Sequence, residues 1–459
     1  MKHNFESIIR ILLILMVAYA TGCERRVTNS SQKKAAPPAI EEPCRFVLTG
    51  LGGTTDLDNR IAEAQQRVRA SVTSSNAIEQ LGWLFVAKAR VSFDPGFYKL
   101  AEECALCMEG RFGRSQEALL LHGHVLHNLH KFKEAEPLAQ ELVASRGRPF
   151  DFGLLGDVLM EQGRLDDALA AYQRMLDLRP DLHSYSRGAH LRWLKGDVEG
   201  AKELMELAAS AATPLDAESA AWVHTRLAGY QFQLGLAAQA ARTCAAALDY
   251  QSNYPPALLL RGRMLLADGK AERAVEALRL AAKMNPLPEY QWTLAEALRA
   301  TGRADEAGAV ESQLRRRGAV TDPRTFALFL ATRGAAPQAA VRLAKAELNN
   351  RQDIFTHDAL GWALAAAGDL NEATVHISQA LAEGTQDPRL FLHAGIIYAK
   401  SGRIAEADRN LSLASGLAHL LLPSERNLLT QSLSSLQGMR TELNNVNQQT
   451  NRKELVQHD

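Results

Sequence analysis

The 459-residue sequence has no surplus of charge: Lys plus Arg number 52, and so do Asp plus Glu. That balance excludes the basic footprint with which a protein neutralises a nucleic-acid backbone or an anionic membrane surface. Catalytic signatures are missing as well, since the chain has no nucleophile elbow, phosphate-cradling glycine-lysine loop or H-E-x-x-H pair. GLGGTT, Gly50 to Thr55, is glycine-rich, but no strand pattern precedes it and no lysine follows within reach. No enzyme, cofactor, bound metal or small-molecule substrate is expected from these absences. Long hydrophobic runs are missing too: the apolar stretch Ile11 to Ala20 is too short for a mature spanning helix. What remains, 46% hydrophobic and 23% charged residues, suits a folded soluble body of two or three domains or one extended repeat array.

The N-terminus reads as an export signal, with Lys2 and Arg10 leading into the apolar stretch. Small residues Ala20 and Gly22 stand before Cys23 and resemble a bacterial lipobox. That resemblance implies a lipoprotein signal peptide over 1–22 and a lipidated Cys23. Residues 23–75 are polar at first and proline-bearing, so they are expected to be a flexible linker. Glu24 leaves the choice between inner and outer membrane open; the expectation is an exported lipoprotein on the periplasmic face of the outer membrane.

A repeat organises the rest. Ala135, Ala168, Ala201, Ala240, Ala274, Ala307, Ala339, Ala373 and Ala407 recur with a period of about 34 residues. Eight have a glycine five positions earlier: Gly163, Gly196, Gly235, Gly269, Gly302, Gly334, Gly368 and Gly402. In FGLLGDVLMEQGRLDDALAAYQRMLDLRP, Phe152 to Pro180, one apolar-periodic helix ends at Gly163 and a second follows, stopped by Pro180. The unit is a helix hairpin.

Leu155, Gly156, Leu159, Ala168, Tyr172 and Pro180 fill the pattern of the tetratricopeptide repeat (TPR) family, as do Leu258, Gly262, Leu265, Ala274, Leu278 and Pro286. The chain resembles that family from about Gln116 to His419, although the family's tryptophan is absent from its usual position. The implied fold is all-α: a right-handed superhelical α-solenoid of nine or ten antiparallel hairpins over 76–422. An irregular first hairpin is expected from Ala77 to Met108, turning at Ser92 to Gly96. A terminal capping helix is expected over 423–439, begun by Ser424, and a polar frayed tail over 440–459. The longer interval around Ala212 to Ser219 reads as a bend.

LHGHVLHNLHKF, Leu121 to Phe132, raises a metal question. On a helix at about 100° per residue its four histidines cannot converge on one ion. His122 takes a packing position, and His130 stands in the slot that holds glycine elsewhere, where histidine tolerates positive φ. His124 and His127 share a face. CALC, Cys104 to Cys107, lies inside a helical stretch rather than at a helix N-terminus, with no second C-x-x-C to complete a zinc site. In an oxidising compartment the pair could close on itself, or one member on Cys44. Cys244 falls at a packing position.

The family resemblance implies that set positions of each first helix line a concave groove. They are filled here by Trp83, Trp193, Trp222, Trp292 and Trp362, with His124, His127, Asp157, Met160, His183, His190, Phe232, Glu296, Arg299 and Asp358. Two outcomes stay open: an aromatic groove that recognises a partner, or a superhelix closed tightly enough to bury the tryptophans. The expected function is a non-catalytic, membrane-anchored scaffold that binds a protein or peptide in its groove, in envelope assembly or secretion. The alternative is a metal- or thiol-responsive envelope protein built on His124, His127 and the Cys104 and Cys107 pair.

Overall fold

The computed structural model describes residues 42–71 and 74–456, so the signal segment and Cys23 lie outside the described residues. All regular structure in them is helical. Two helices, α1 (Glu42–Phe46) and α2 (Asp56–Ala70), precede ten hairpins. These are α3 (Ser75–Ser92) with α4 (Gly96–Phe112), α5 (Gln116–Asn128) with α6 (Phe132–Ser145), α7 (Pro149–Glu161) with α8 (Leu165–Leu178), α9 (Leu182–Leu194) with α10 (Val198–Ser210), and α11 (Ala217–Gln233) with α12 (Ala237–Tyr250). Then come α13 (Pro255–Ala267) with α14 (Ala271–Met284), α15 (Pro288–Ala300) with α16 (Ala304–Thr321), α17 (Pro323–Thr332) with α18 (Pro337–Asn350), α19 (Ile354–Ala367) with α20 (Leu370–Ala380), and α21 (Pro388–Lys400) with α22 (Ile404–Gly416). α23 (Pro423–Val456) closes the chain. No described helix is long and apolar enough to cross a membrane.

The repeated alanines sit where the two helices of a hairpin approach closest. Ala135, Ala168, Ala201, Ala240, Ala274, Ala307, Ala373 and Ala407 are fully buried. Ala339 is not; the buried residue is Ala340. The turn before α18 carries an extra left-handed residue, Ala336 (φ 55°), after Gly334 (φ 59°), which moves the register by one. His130 occupies the glycine slot with φ 59°, as its position implies. The long interval is absorbed by a 3-10 turn, Pro214–Asp216, and by the 17-residue α11.

Two expected boundaries are corrected. The stretch 23–75 is not a tether throughout, because α2 is a capped amphipathic helix. Thr55 and Asp58 form its capping box, and Ile61, Ala64 and Val68 are buried. Gln65 donates to the carbonyls of Val47 (2.8 Å) and Thr49 (2.9 Å), and the Cys44–Cys107 disulfide ties α1 to α4. Nor does helix end at 439: α23 runs 34 residues to Val456, through most of the expected tail. Ser424 is not its cap. The Glu425 carboxylate accepts the Leu422 N–H at 2.8 Å, and Ser424 turns to another partner.

The array returns upon itself. Gln352 donates its N–H to the Glu161 carbonyl at 3.2 Å, and Arg351 reaches the Glu161 carboxylate at 3.3 Å across 190 positions. Lys195 pairs with Glu383 at 3.0 Å, Thr385 donates to the Leu194 carbonyl, and His419 Nε2 meets the Phe232 carbonyl at 2.9 Å. These separations of 188, 191 and 187 positions are about five and a half repeats. The C-terminal hairpins thus lie against the ends of α7, α9 and α11, across what would be an open concavity.

Candidate functional site

The return borders a half-open cavity of about 830 Å³ between the first helices of the central and C-terminal repeats. Of the residues expected on an open groove, Met160, His190, Trp193, Trp222, Phe232 and Asp358 line it. Its wall is aromatic on one side. Trp193 stacks between His190 (ring centroids 5.6 Å apart) and Phe355 (5.8 Å), and its Nε1–H donates to Gln233 at 2.8 Å. Trp222, half-buried, stands one helical turn before Arg226 on the same face of α11.

Charge in the cavity is almost fully paired. Arg263 meets Glu289 (3.1 Å), Arg324 meets Asp353 (2.9 Å) and Arg389 meets Glu425 (2.7 Å). Asp358 lies 2.8 Å from His393 Nδ1, and Asp387 caps α21 through the N–H groups of Arg389 and Leu390. Arg226 is different. Its Nη2 donates to His190 Nδ1 (3.0 Å) and Tyr230 Oη (3.3 Å), and the guanidinium lies over the rings of Tyr230 (5.4 Å) and Trp193 (5.7 Å). Among the described residues none of its partners is a carboxylate. Burial pushes the His190 pKa down to about 3, with the Arg226 charge acting in the same direction, so the ring is a neutral acceptor.

Five other expected groove residues do not line the cavity. Trp292, 1% exposed, is enclosed by Phe329 and by the Arg389 guanidinium 5.1 Å from its ring. Trp362 is buried face to face on His393 at 4.2 Å, and its Nε1–H donates to Thr332 at 3.0 Å. Glu296, 2% exposed, accepts from Ser424 N–H (3.0 Å), Ser424 O–H (2.8 Å) and Arg333 (2.7 Å), which docks the start of α23. Arg299 is held by Glu311 at 2.7 Å. Asp157 accepts two bonds from Arg187 (2.8 and 2.7 Å) and one from Tyr172 (2.8 Å). Burial alone would raise its pKa, but the Arg187 guanidinium outweighs burial and holds the carboxyl below its ordinary value.

Another group gathers nearer the N-terminal end and does not line the cavity. Trp83 packs on His124 (5.3 Å), His127 meets the edge of Phe132 (5.4 Å), and His183 packs on Phe150 (5.5 Å). Burial pushes the His124 pKa down to about 3 and lowers that of His183. His122 bonds to Glu109 at 2.9 Å, joining α5 to α4. Among the described residues no three His, Cys, Asp or Glu side chains converge as a metal site. Of the two pairings open to the C-x-x-C pair, the structure holds the one with Cys44: Cys107 is bonded to it, and Cys104 is a buried thiol whose pKa burial raises well above its ordinary value. A reversible bond between Cys104 and Cys107 is therefore not what the fold presents.

Sequence reasoning missed Arg226, Tyr230 and Phe355 in the cavity. The spacing of Trp222 and Arg226 was a readable sign, since residues four apart share a helix face. Phe355 gave none, because it reaches Trp193 only through the superhelical return.

Residues 120–183, 153–217 and 259–319 match the tetratricopeptide repeat family model, and the chain carries such repeats there. Three solved structures are similar in part. One, titled "Crystal structure of APC/C hetero-tetramer Cut9-Hcn1", is 14% identical over 85% of this chain and 98% of that one, with a TM-score of 0.35. Another, "Human IFIT1 dimer with PPP-AAAA", is 13% identical over 71% and 77%, with a TM-score of 0.46. The third, "Functional Characterization of Pseudomonas Aeruginosa pilF", is 16% identical over 47% and 96%, with a TM-score of 0.38. At TM-scores below 0.5 none of them bears on this chain's site or partner. No protein of curated function matches the sequence.

Proposed function

We propose that this helical-repeat chain is a non-catalytic protein-interaction scaffold that takes a segment of a partner protein into its central cavity. The observation that carries the reading is the unpaired Arg226 on an aromatic wall. Three neighbouring guanidinium groups are neutralised by carboxylates of the chain itself, while Arg226 is oriented by neutral groups. A guanidinium so held retains its long-range attraction for an incoming acidic side chain, and Trp193 and Trp222 supply apolar area beside it. The segment that fits is apolar with one acidic residue. The walls are ordered before it arrives, which lowers the entropic cost of association.

We further propose that the chain is exported and anchored by a lipid on Cys23, in envelope assembly or secretion. The Cys44–Cys107 disulfide supports an oxidising compartment, where such bonds persist. A Cys23→Ser chain should leave the membrane fraction on cell fractionation. If it stays membrane-bound, the anchor lies elsewhere.

The scaffold reading is tested by affinity capture from native envelopes with Trp222→Ala/Arg226→Ala beside the unchanged chain and Glu199→Ala, whose carboxylate is exposed on α10. A partner should be retained by the unchanged and Glu199→Ala chains and lost by the double variant at equal helical content. Equal capture by all three would place binding outside the cavity.

A further inference from the structure

A second cavity, of about 670 Å³, shares only Phe232 with the first and opens between α12 and the α13–α14 hairpin. It arises from side-chain size. Toward its C-terminal end α12 packs on α13, where Cys244 Sγ donates to the Ala257 carbonyl at 3.3 Å and Ala247 is fully buried. Along its face beside the cleft α12 offers the exposed Ala237, Ala238, Ala241 and Ala245, too short to fill the gap. Leu248, Met264 and Leu265 complete an apolar slot. Phe232 and His419, edge to face at 5.1 Å, also line it, and His419 is held by its bond to the Phe232 carbonyl.

Three cations border the slot. Lys270 is paired with Asp268 at 2.5 Å. Arg261 and Arg273, both exposed, face no carboxylate at ion-pair distance among the described residues. Apolar depth and unpaired guanidinium groups together complement a molecule that is hydrocarbon at one end and anionic at the other. The volume lies within the range of pockets that bury a small ligand, about 300–1,000 Å³.

We infer that this cleft binds one alkyl chain of an anionic amphiphile, the chain along Ala241, Ala245 and Leu248 and the acidic head on Arg261 and Arg273. The same chemistry is offered by a free long-chain carboxylic acid and by an acyl chain of an anionic lipid. The site is independent of the central cavity and of any partner held there.

The test uses the full chain and three probes: sodium oleate, oleyl alcohol, and phosphatidylglycerol vesicles, read by calorimetry and by native mass spectrometry. Oleate should bind saturably at one per chain, about tenfold or more tightly than the alcohol, whose head carries no charge. Ala241→Trp, which fills the slot, should weaken oleate at least about tenfold. Arg261→Glu/Arg273→Glu should remove the preference for oleate over the alcohol; both side chains are exposed, so this variant decides the matter even if Ala241→Trp fails to fold. Binding to vesicles alone, lost in both variants, assigns the cleft to a lipid; binding of free oleate assigns it to the acid. Glu199→Ala, on the exposed face of α10, should leave oleate binding unchanged. Saturable binding of neither oleate nor the vesicles, or binding that neither variant weakens, overturns the proposal.

Discussion

Gly163 stands against Gln352 so closely that a β-carbon on the glycine would overlap the Gln352 carbonyl oxygen. The glycine has φ 75°, as its helix-capping place requires, but it is also the contact point between two passes of the superhelix. Gly196 meets the Gly384 carbonyl in the same way, whereas Gly235 (φ 78°) faces open space. Gly235→Ala should lose only the left-handed backbone cost, about 1 kcal/mol. Gly163→Ala should lose about 1–3 kcal/mol more by overpacking, and should loosen the return, measured by denaturant melts and amide exchange at Gln352. Equal losses at the two sites would deny that the seam contributes to stability.

The disulfide joins residues 63 positions apart and pins α1 to α4. Cys44→Ser/Cys107→Ser should cost about 2–4 kcal/mol, and the loss should appear as faster amide exchange in α1 to α4. A solenoid's stability is a sum of local and neighbour terms, so the distant α19 to α22 should keep their protection. Uniform loss along the chain would contradict that locality.

Acid should weaken the fold through histidines buried in the neutral form. The pKa of His124 and of His190 is about 3 in the folded chain, against about 6.5 when unfolded. Below pH 6.5 the unfolded chain takes up protons that the folded chain refuses. Stability therefore rises with pH across that window and falls as pH drops from 6.5 toward 3. Asp157, held below its ordinary pKa of about 3.8, adds a loss only at the acid end. Denaturant melts from pH 7.5 to 4.5 should show the decline, and His124→Gln/His190→Gln should make it shallower. An unchanged slope in the double variant would mean that other groups govern acid sensitivity.

Glu296 joins α15 to the start of α23 through Ser424, and it also neutralises Arg333. Glu296→Ala leaves the half-buried Ser424 donors unmet while Arg333 keeps Glu311, and should cost about 1–3 kcal/mol. α23 should then become the first site of limited proteolysis. If α23 is cut no faster than before, its docking rests on its apolar contacts alone.

Much of the fold was legible because each repeat reuses one set of positions. Small residues must stand where helices cross, and a left-handed residue must turn each hairpin, so Ala168 with Gly163, and His130 in glycine's place, could be read directly. The register slip at Ala340 could not, because Ala336 takes a left-handed turn that its residue type does not announce. α2 was partly legible: Thr55 and Asp58 form a capping box before a periodic Ile61, Ala64 and Val68, yet polar composition hid it. The misplacement of Trp292 and Trp362 on an open face has a different cause. Local periodicity encodes how one repeat meets the next, whereas superhelical pitch is the accumulated sum of small rotations. Contacts about 190 positions apart, such as Arg351 with Glu161, decide which residues of the concave face remain reachable.

Binding on this account takes place inside the half-open central cavity. The direct measurement is site-specific photocrosslinking in intact cells, with the reactive side chain at Trp222 in the cavity or at Glu199 on the outer surface. A discrete partner adduct should form from position 222, vanish when Arg226→Glu is added, and be missing from position 199. Adducts from position 199 but none from 222, or an adduct from 222 that Arg226→Glu leaves intact, would contradict recognition through the cavity and its unpaired guanidinium.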